Sequence, residues 1–136
     1  MAFIGSDVLE VTWNNPVVGQ GTFFCKSGES SEIDLGGLRI TEVTATGNGR
    51  TIKKTEMKPS VFKLPPIAWD KVDKDELDKL NKLAASTVGT VFTVSFVDGS
   101  IYQMQDGSPT GDVKGDGSTG TIGIEFQGEP NATRIS

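Results

Sequence analysis

The chain has 136 residues, a length that allows one domain with a real core. Its 13 basic and 18 acidic residues give a net charge of −5, which excludes a generic nucleic-acid binder that grips phosphates through a basic excess but leaves passive passage of DNA open. No histidine and 1 cysteine exclude histidine acid–base chemistry, a Ser-His-Asp or Cys-His arrangement, a CxxC site and an internal disulfide.

No apolar run is long enough to span a membrane. The stretch MAFIGSDVLEV lacks the basic region and apolar core of a secretion signal, so synthesis in a reducing cytoplasm is expected. In chain order, Val8–Trp13 reads as a short strand that Asn14-Asn15-Pro16 should end. Thr22–Lys26 reads as a second strand, with Cys25 a small buried thiol in it, and Ser27–Ser31 as a polar turn. Leu38–Thr46 and Arg50–Met57 are rich in strand formers around Gly47-Asn48-Gly49 and predict a long protruding hairpin. That arm carries many polar residues and buries little core alone, so it either faces solvent or is ordered against another chain.

Val61–Trp69 (VFKLPPIAW) is apolar, but Pro65-Pro66 forbids a central strand across it. An extended crossover is expected, with Phe62, Leu64, Ile67 and Trp69 packed over one end of the sheet. Asp73–Val88 predicts the one helix: Asp73 as N-cap, Glu76 completing a capping box, Val72 stapled onto Leu77, and Gly89 just past the end. Leu77, Leu80, Leu83 and Ala84 form its apolar stripe, and Asp75–Lys79 and Asp78–Lys82 are spaced for i,i+4 pairing.

Gly89–Gln105 is the strongest hairpin signal, because Phe92, Val94 and Phe96 alternate on one side of Asp98-Gly99 and Tyr102 and Met104 on the other. A plain two-residue turn would set apolar residues against polar ones. A type I turn with Gly99 left-handed in a G1 bulge instead pairs Phe96 with Ser100, Val94 with Tyr102 and Phe92 with Met104. Asp106–Ser118 (DGSPTGDVKGDGS) reads as a loop. It is no EF-hand, since Lys114 stands where an oxygen ligand belongs and Gly123 where the distal glutamate belongs. Thr119–Gln127 is a closing strand with Ile122, Ile124 and Phe126 on its buried face. The ends 1–7 and 129–136 are expected to be flexible or ordered by assembly. Trp13 is the aromatic residue best placed to lie outside.

The fold class is therefore mainly β (α+β): a β-sandwich or small barrel of antiparallel strands, with one flanking helix and a long hairpin, as a single domain over 1–136. The expected core is Phe92, Val94, Phe96, Tyr102, Met104, Ile122, Ile124, Phe126, Leu77, Leu80 and Leu83. No catalytic, cofactor or metal residues are assigned, and no enzyme activity is expected. Arg39, Thr41, Thr44, Asn48, Arg50, Lys53 and Lys54 on the hairpin are the candidate assembly residues, with Arg39, Arg50, Lys53 and Lys54 available to acids of a neighbour.

The order of these pieces resembles small phage tail tube proteins, especially those of contractile tails. The resemblance is carried over roughly residues 20–128 by the Leu38–Met57 hairpin, the single helix after the crossover, and VFTVSFVDGSIYQMQDG followed by GTIGIEFQGE. Glu125-Phe126-Gln127-Gly128 matches the FEG-like finish of that family. The resemblance implies hexameric rings stacked into a hollow tube in the virion, with DNA passing through the lumen without sequence-specific binding. It implies a sheath, baseplate and terminator proteins as further partners, and no membrane. Type VI secretion and pyocin-like tubes share the fold, so another ring-forming tail component or a tube of those machines is the first alternative. A carbohydrate- or protein-binding β-sandwich is the second.

Overall fold

Alternating apolar residues build the central strands seen in a computed structural model, which describes residues 7–136. Expectations for residues 1–6 lie outside the described residues. The elements are β1 (Val8–Asn15), β2 (Gly19–Phe23), β3 (Glu32–Asp34), β4 (Gly37–Ala45), β5 (Thr51–Lys58), β6 (Ser60–Lys63), β7 (Ile67–Ala68), α1 (Glu76–Ala85), β8 (Thr90–Phe96), β9 (Ile101–Asp116), β10 (Thr121–Gly128) and β11 (Thr133–Arg134). One sheet runs β2-β1-β8-β9-β10-β6-β3, with β7 on β10 and β11 on β9, while β4 and β5 form a separate two-stranded sheet. The fold is thus mixed α+β, dominated by antiparallel sheet, with one helix. No sheet among the described residues closes into a barrel, so the barrel alternative falls.

The central hairpin has the bulged register: Phe92 faces Met104 and Val94 faces Tyr102. The Phe96 amide donates to Ser100 O at 2.9 Å, and Gly99 takes φ 94 in the left-handed region that glycine tolerates. Phe92, Val94 and Met104 are fully buried, whereas Phe96 and Tyr102 are half-buried and meet edge to face at 5.9 Å.

The 106–118 stretch is a correction. It is not a loop but the second half of β9, which pairs with β8 as far as Gly107 and with β10 from Ser108 to Asp116. Asp106 and Gly111 adopt positive φ, and the register shifts in each half, so the breaker residues act as bulges that bend one continuous strand. Pro109 is tolerated because β8 pairing has ended before it, leaving its ring nitrogen on an unpaired side. The bend brings Phe92 of β8 onto Phe126 of β10, with ring centroids 4.2 Å apart. At Gly107 a Cβ would lie 2.7 Å from Phe92 Cδ2 and 2.8 Å from Met104 Sδ. Gly107→Ala should therefore destabilise the chain by about 1–3 kcal/mol, read from the midpoint of urea unfolding, and an unchanged midpoint would contradict this close packing.

The crossover is also corrected. Pro65-Pro66 separates two short strands, β6 and β7, both paired with β10. Phe62 and Ile67 are fully buried, Leu64 nearly so, and Trp69 packs against the core from its edge. The second strand runs Gly19–Phe23, earlier than expected, and Cys25 makes only an isolated bridge to Ile67. Trp13 is buried, stacked on Phe23 at 5.8 Å, because the short β2 lays Gly21 under its indole.

Helix α1 is shorter than expected, and the Asp73 capping box does not form. Asp70 Oδ1 accepts the Val72 and Asp73 amides, forming a turn that delays the helix. The Glu76 carboxylate then reaches back to the Asp70 amide at 2.6 Å. Asp75, left-handed at φ 47, is the N-cap residue and accepts the Trp69 indole N–H instead of capping. Val72 is 90% exposed, so no staple forms, and Ala84 faces solvent. Leu80 and Leu83 are buried, Leu77 is half-buried, and Asp78 pairs with Lys82 at 3.1 Å. The far end stops at Ala85 because the Ser86 hydroxyl engages Val88 on both its backbone groups. Buried Asn15 ties this end to β1, its amide donating to Val88 O and Thr90 Oγ1 and its carbonyl accepting the Val17 and Val18 amides.

Residues 129–136, expected to be loose unless assembly orders them, lie along the chain's own sheet. Ala132 is buried, and β11 pairs with Gln103 and Tyr102 of β9.

Candidate assembly surfaces

The β4–β5 arm stands apart from the main sheet. Each of the seven candidate residues, Arg39, Thr41, Thr44, Asn48, Arg50, Lys53 and Lys54, lies on it and is exposed. At the tip Thr46 and Asn48 bond each other, and both accept the Arg50 amide, which organises the glycine-rich turn from within. Arg39 is already paired with Asp34 at 3.0 Å and Lys54 with Glu56 at 3.6 Å. Lys58 lies 2.9 Å from Glu56, and its hydrogen bond and charge hold the Glu56 carboxyl below the usual carboxylate value. Arg39 and Lys54 thus have an acid of their own chain beside them. Arg50 and Lys53 form no ion pair among the described residues.

The more telling feature is one that sequence reading missed. The register pairs Leu38 with Met57, Ile40 with Thr55 and Val43 with Lys53. Directly opposed residues share a face, and the irregularity between Ile40 and Glu42 inserts one extra residue in β4. That bulge keeps Val43 on the face of Leu38 and Ile40; without it Val43 would turn to the other side. Leu38, Ile40, Val43 and Met57 therefore make one apolar ribbon, each more than half exposed. Arg39, Glu42, Lys54 and Glu56 occupy the opposite face. The arm is amphipathic, not uniformly polar, and the spacing 38-40-43 was the signal available in the sequence.

The main sheet presents two unlike outer surfaces. In β1 the residues Val8, Val11, Trp13 and Asn15 are buried, so Thr12 and Asn14 point outward, and Thr12 pairs with Thr22 and Thr93. Thr93 pairs in turn with Gln103, and Gln103 with Thr133. Across β2, β1, β8 and the start of β9 this surface carries mostly hydroxyl and amide side chains, with the half-buried Val91 and Ile101 among them and Glu10 its acid. The surface of β3, β6, β10 and the end of β9 is charged instead: Glu125 faces Lys63, Lys63 faces Glu32, and Asp112, Lys114 and Asp116 follow.

Cys25 offers no reactive centre. It is free, and burial pushes its thiol up to about 12 from an ordinary 9.0, keeping it neutral. A raised folded-state value means the native chain holds a proton that the unfolded chain has lost between those two values. This contribution is full below about pH 9 and declines above it by up to about 1.4 kcal/mol per pH unit. In chemical denaturation the parent chain should lose about 1–2 kcal/mol more than Cys25→Ala between pH 8 and 10.5. Parallel losses would contradict the buried thiol.

Among the described residues no group of His, Cys, Asp and Glu is placed to hold a metal ion, and no helix is long and apolar enough to cross a membrane. Asp116 serves a turn, its carboxylate accepting the Ser118 hydroxyl at 2.8 Å and the Ser118 amide at 3.0 Å, which holds its carboxyl below the usual value. The chain matches no model of a known protein family and no curated protein.

Proposed function

We propose that this chain is a structural subunit that polymerises into stacked rings, forming the hollow inner tube of a phage tail through which DNA passes. One observation carries the reading: a two-stranded arm, detached from the main sheet, keeps an apolar ribbon in water. Two strands alone are marginally stable, and an exposed apolar face of this kind marks a surface that a partner covers. Here the partner is the neighbouring subunit, and the ribbon of Leu38, Ile40, Val43 and Met57 is the face that meets it. Arg50 and Lys53, unpaired with acids of their own chain, supply charge at that contact.

The unlike outer surfaces support the same reading. The bent sheet reads as a β-sandwich whose largely uncharged face suits a wall beside a polyanion. Among the described residues it has no row of cations to grip phosphates, and DNA binding strengthens with each phosphate a protein neutralises. The charged face would look outward, toward a sheath. Rings of six, a baseplate and terminator as partners, and residence in the virion follow from the family resemblance.

Negative-stain electron microscopy of the purified chain across concentration tests the reading. Hollow tubes or stacked rings are the expected result. Uniform monomers at every concentration would count against it and favour a binding module.

A further inference from the structure

We infer that the β9 edge over residues 101–103 is the docking edge for β2 of a second copy, and that the segment 130–136 is a cover that leaves it on assembly. The inference rests on the polymerising reading and names the surface through which copies meet.

One side of β9 is taken by β8 from Gly107 back to Ile101. Its other side is taken by β10 only from Ser108 onward. Over 101–105 that side is covered by the chain's own later segment. The Glu129 amide donates to Gln105 O at 2.9 Å, Thr133 pairs with Gln103, Arg134 pairs with Tyr102, and the Ile135 amide donates to Ile101 O at 2.8 Å. Backbone pairing is thus complete, but side-chain anchorage is thin. Residues 133–136 are all exposed, Ile135 at 53%, and Ala132 alone is buried. A cover held by backbone bonds can be exchanged on β9 for another strand bond for bond, while Ser60 keeps its bond to Glu129 O and the Ala132 amide gives up its bond to Leu35 O.

The matching strand stands at the opposite end of the same sheet. β2 pairs with β1 and has no strand on its outer side among the described residues. Adjacent strands along β2, β1, β8 and β9 are all antiparallel, so direction alternates across four strands. With an even number, a copy rotated about an axis along the strands brings its β2 to β9 antiparallel, the direction β11 takes now. The outward Gln20 and Thr22 then extend the uncharged row through Gln103. Repeating the step joins unlike edges head to tail, which closes into a ring when the rotation permits and pairs both of these edges.

The experiment places Gln103→Cys and Thr133→Cys, directly opposed residues, in a Cys25→Ser chain, so that oxidation locks the cover to β9 and reductant frees it. Growth is followed by light scattering and sedimentation, beside a chain truncated after Glu129. The oxidised form is expected to grow at least tenfold more slowly than the same chain reduced, and the truncated chain to polymerise at lower concentration than the full one. Equal growth of oxidised and reduced forms overturns the inference. So does a truncated chain that melts cooperatively yet no longer polymerises, because the segment would then be part of the contact and not its cover. If full, reduced and truncated chains all stay monomeric, the polymerising reading itself falls.

Discussion

Replacing Ile40 and Val43 together by aspartate is expected to raise the concentration needed for polymer growth at least a hundredfold while leaving the monomer folded. The magnitude follows from burial. Fully burying an aliphatic side chain is worth about 1.5–3 kcal/mol, and these two begin 55% and 58% exposed, so covering them yields roughly half of that each. Two such losses, about 1.5–3 kcal/mol together, are one to two factors of ten, since about 1.4 kcal/mol is tenfold. Aspartate adds the cost of a carboxylate left dry and unpaired in the contact, which carries the effect further in the same direction. The monomer has little to lose, because neither side chain touches the main core. Thr44→Asp, on the opposite face beside Ile52, should shift growth far less. Sedimentation against concentration, with far-ultraviolet circular dichroism melts of each variant, makes the comparison. Unchanged polymers from the double variant would remove the ribbon from the interface.

How much of this was legible in the sequence depends on how locally each feature is written. The 92–104 hairpin was readable to the residue, because strict alternation and Asp98-Gly99 admit only one register that gathers the apolar side chains. The buried face of β10 was readable for the same reason. The second half of β9 was not: Asp106, Gly107, Pro109 and Gly111 each favour a turn locally, and the strand exists because β10 supplies a partner from elsewhere in the chain. The helix start slipped for a related cause, since Asp70 competes with Asp73 for the amides that a cap would take. At the arm, the candidate residues lie on an exposed hairpin, and two of them, Arg39 and Lys54, stand beside Asp34 and Glu56 of their own chain. The apolar ribbon was hidden by one inserted residue that breaks the alternation a reader looks for.

Phe126→Ala tests the opposite kind of site and is expected to cost about 3–5 kcal/mol of folding stability. Phe126 is fully buried, stacks on Phe92, and sits opposite Phe62 on one side of β10 and Pro109 on the other. Truncation opens a cavity where the two parts of the bent sheet meet and removes an aromatic pair worth about 0.5–1.5 kcal/mol beyond its area. Against a typical total of about 5–15 kcal/mol that is a large share, and for a chain of this size it lowers the melting temperature by about 10–20 °C. Phe126→Leu, which keeps most of the volume, should lose markedly less and still polymerise at low temperature, because no outward face has changed. The two sites should therefore dissociate: the arm variant melts like the parent but does not grow, and the core leucine variant grows but melts early. A Phe126→Ala chain melting within about 3 °C of the parent would mean that β8 and β10 are not held together through this contact.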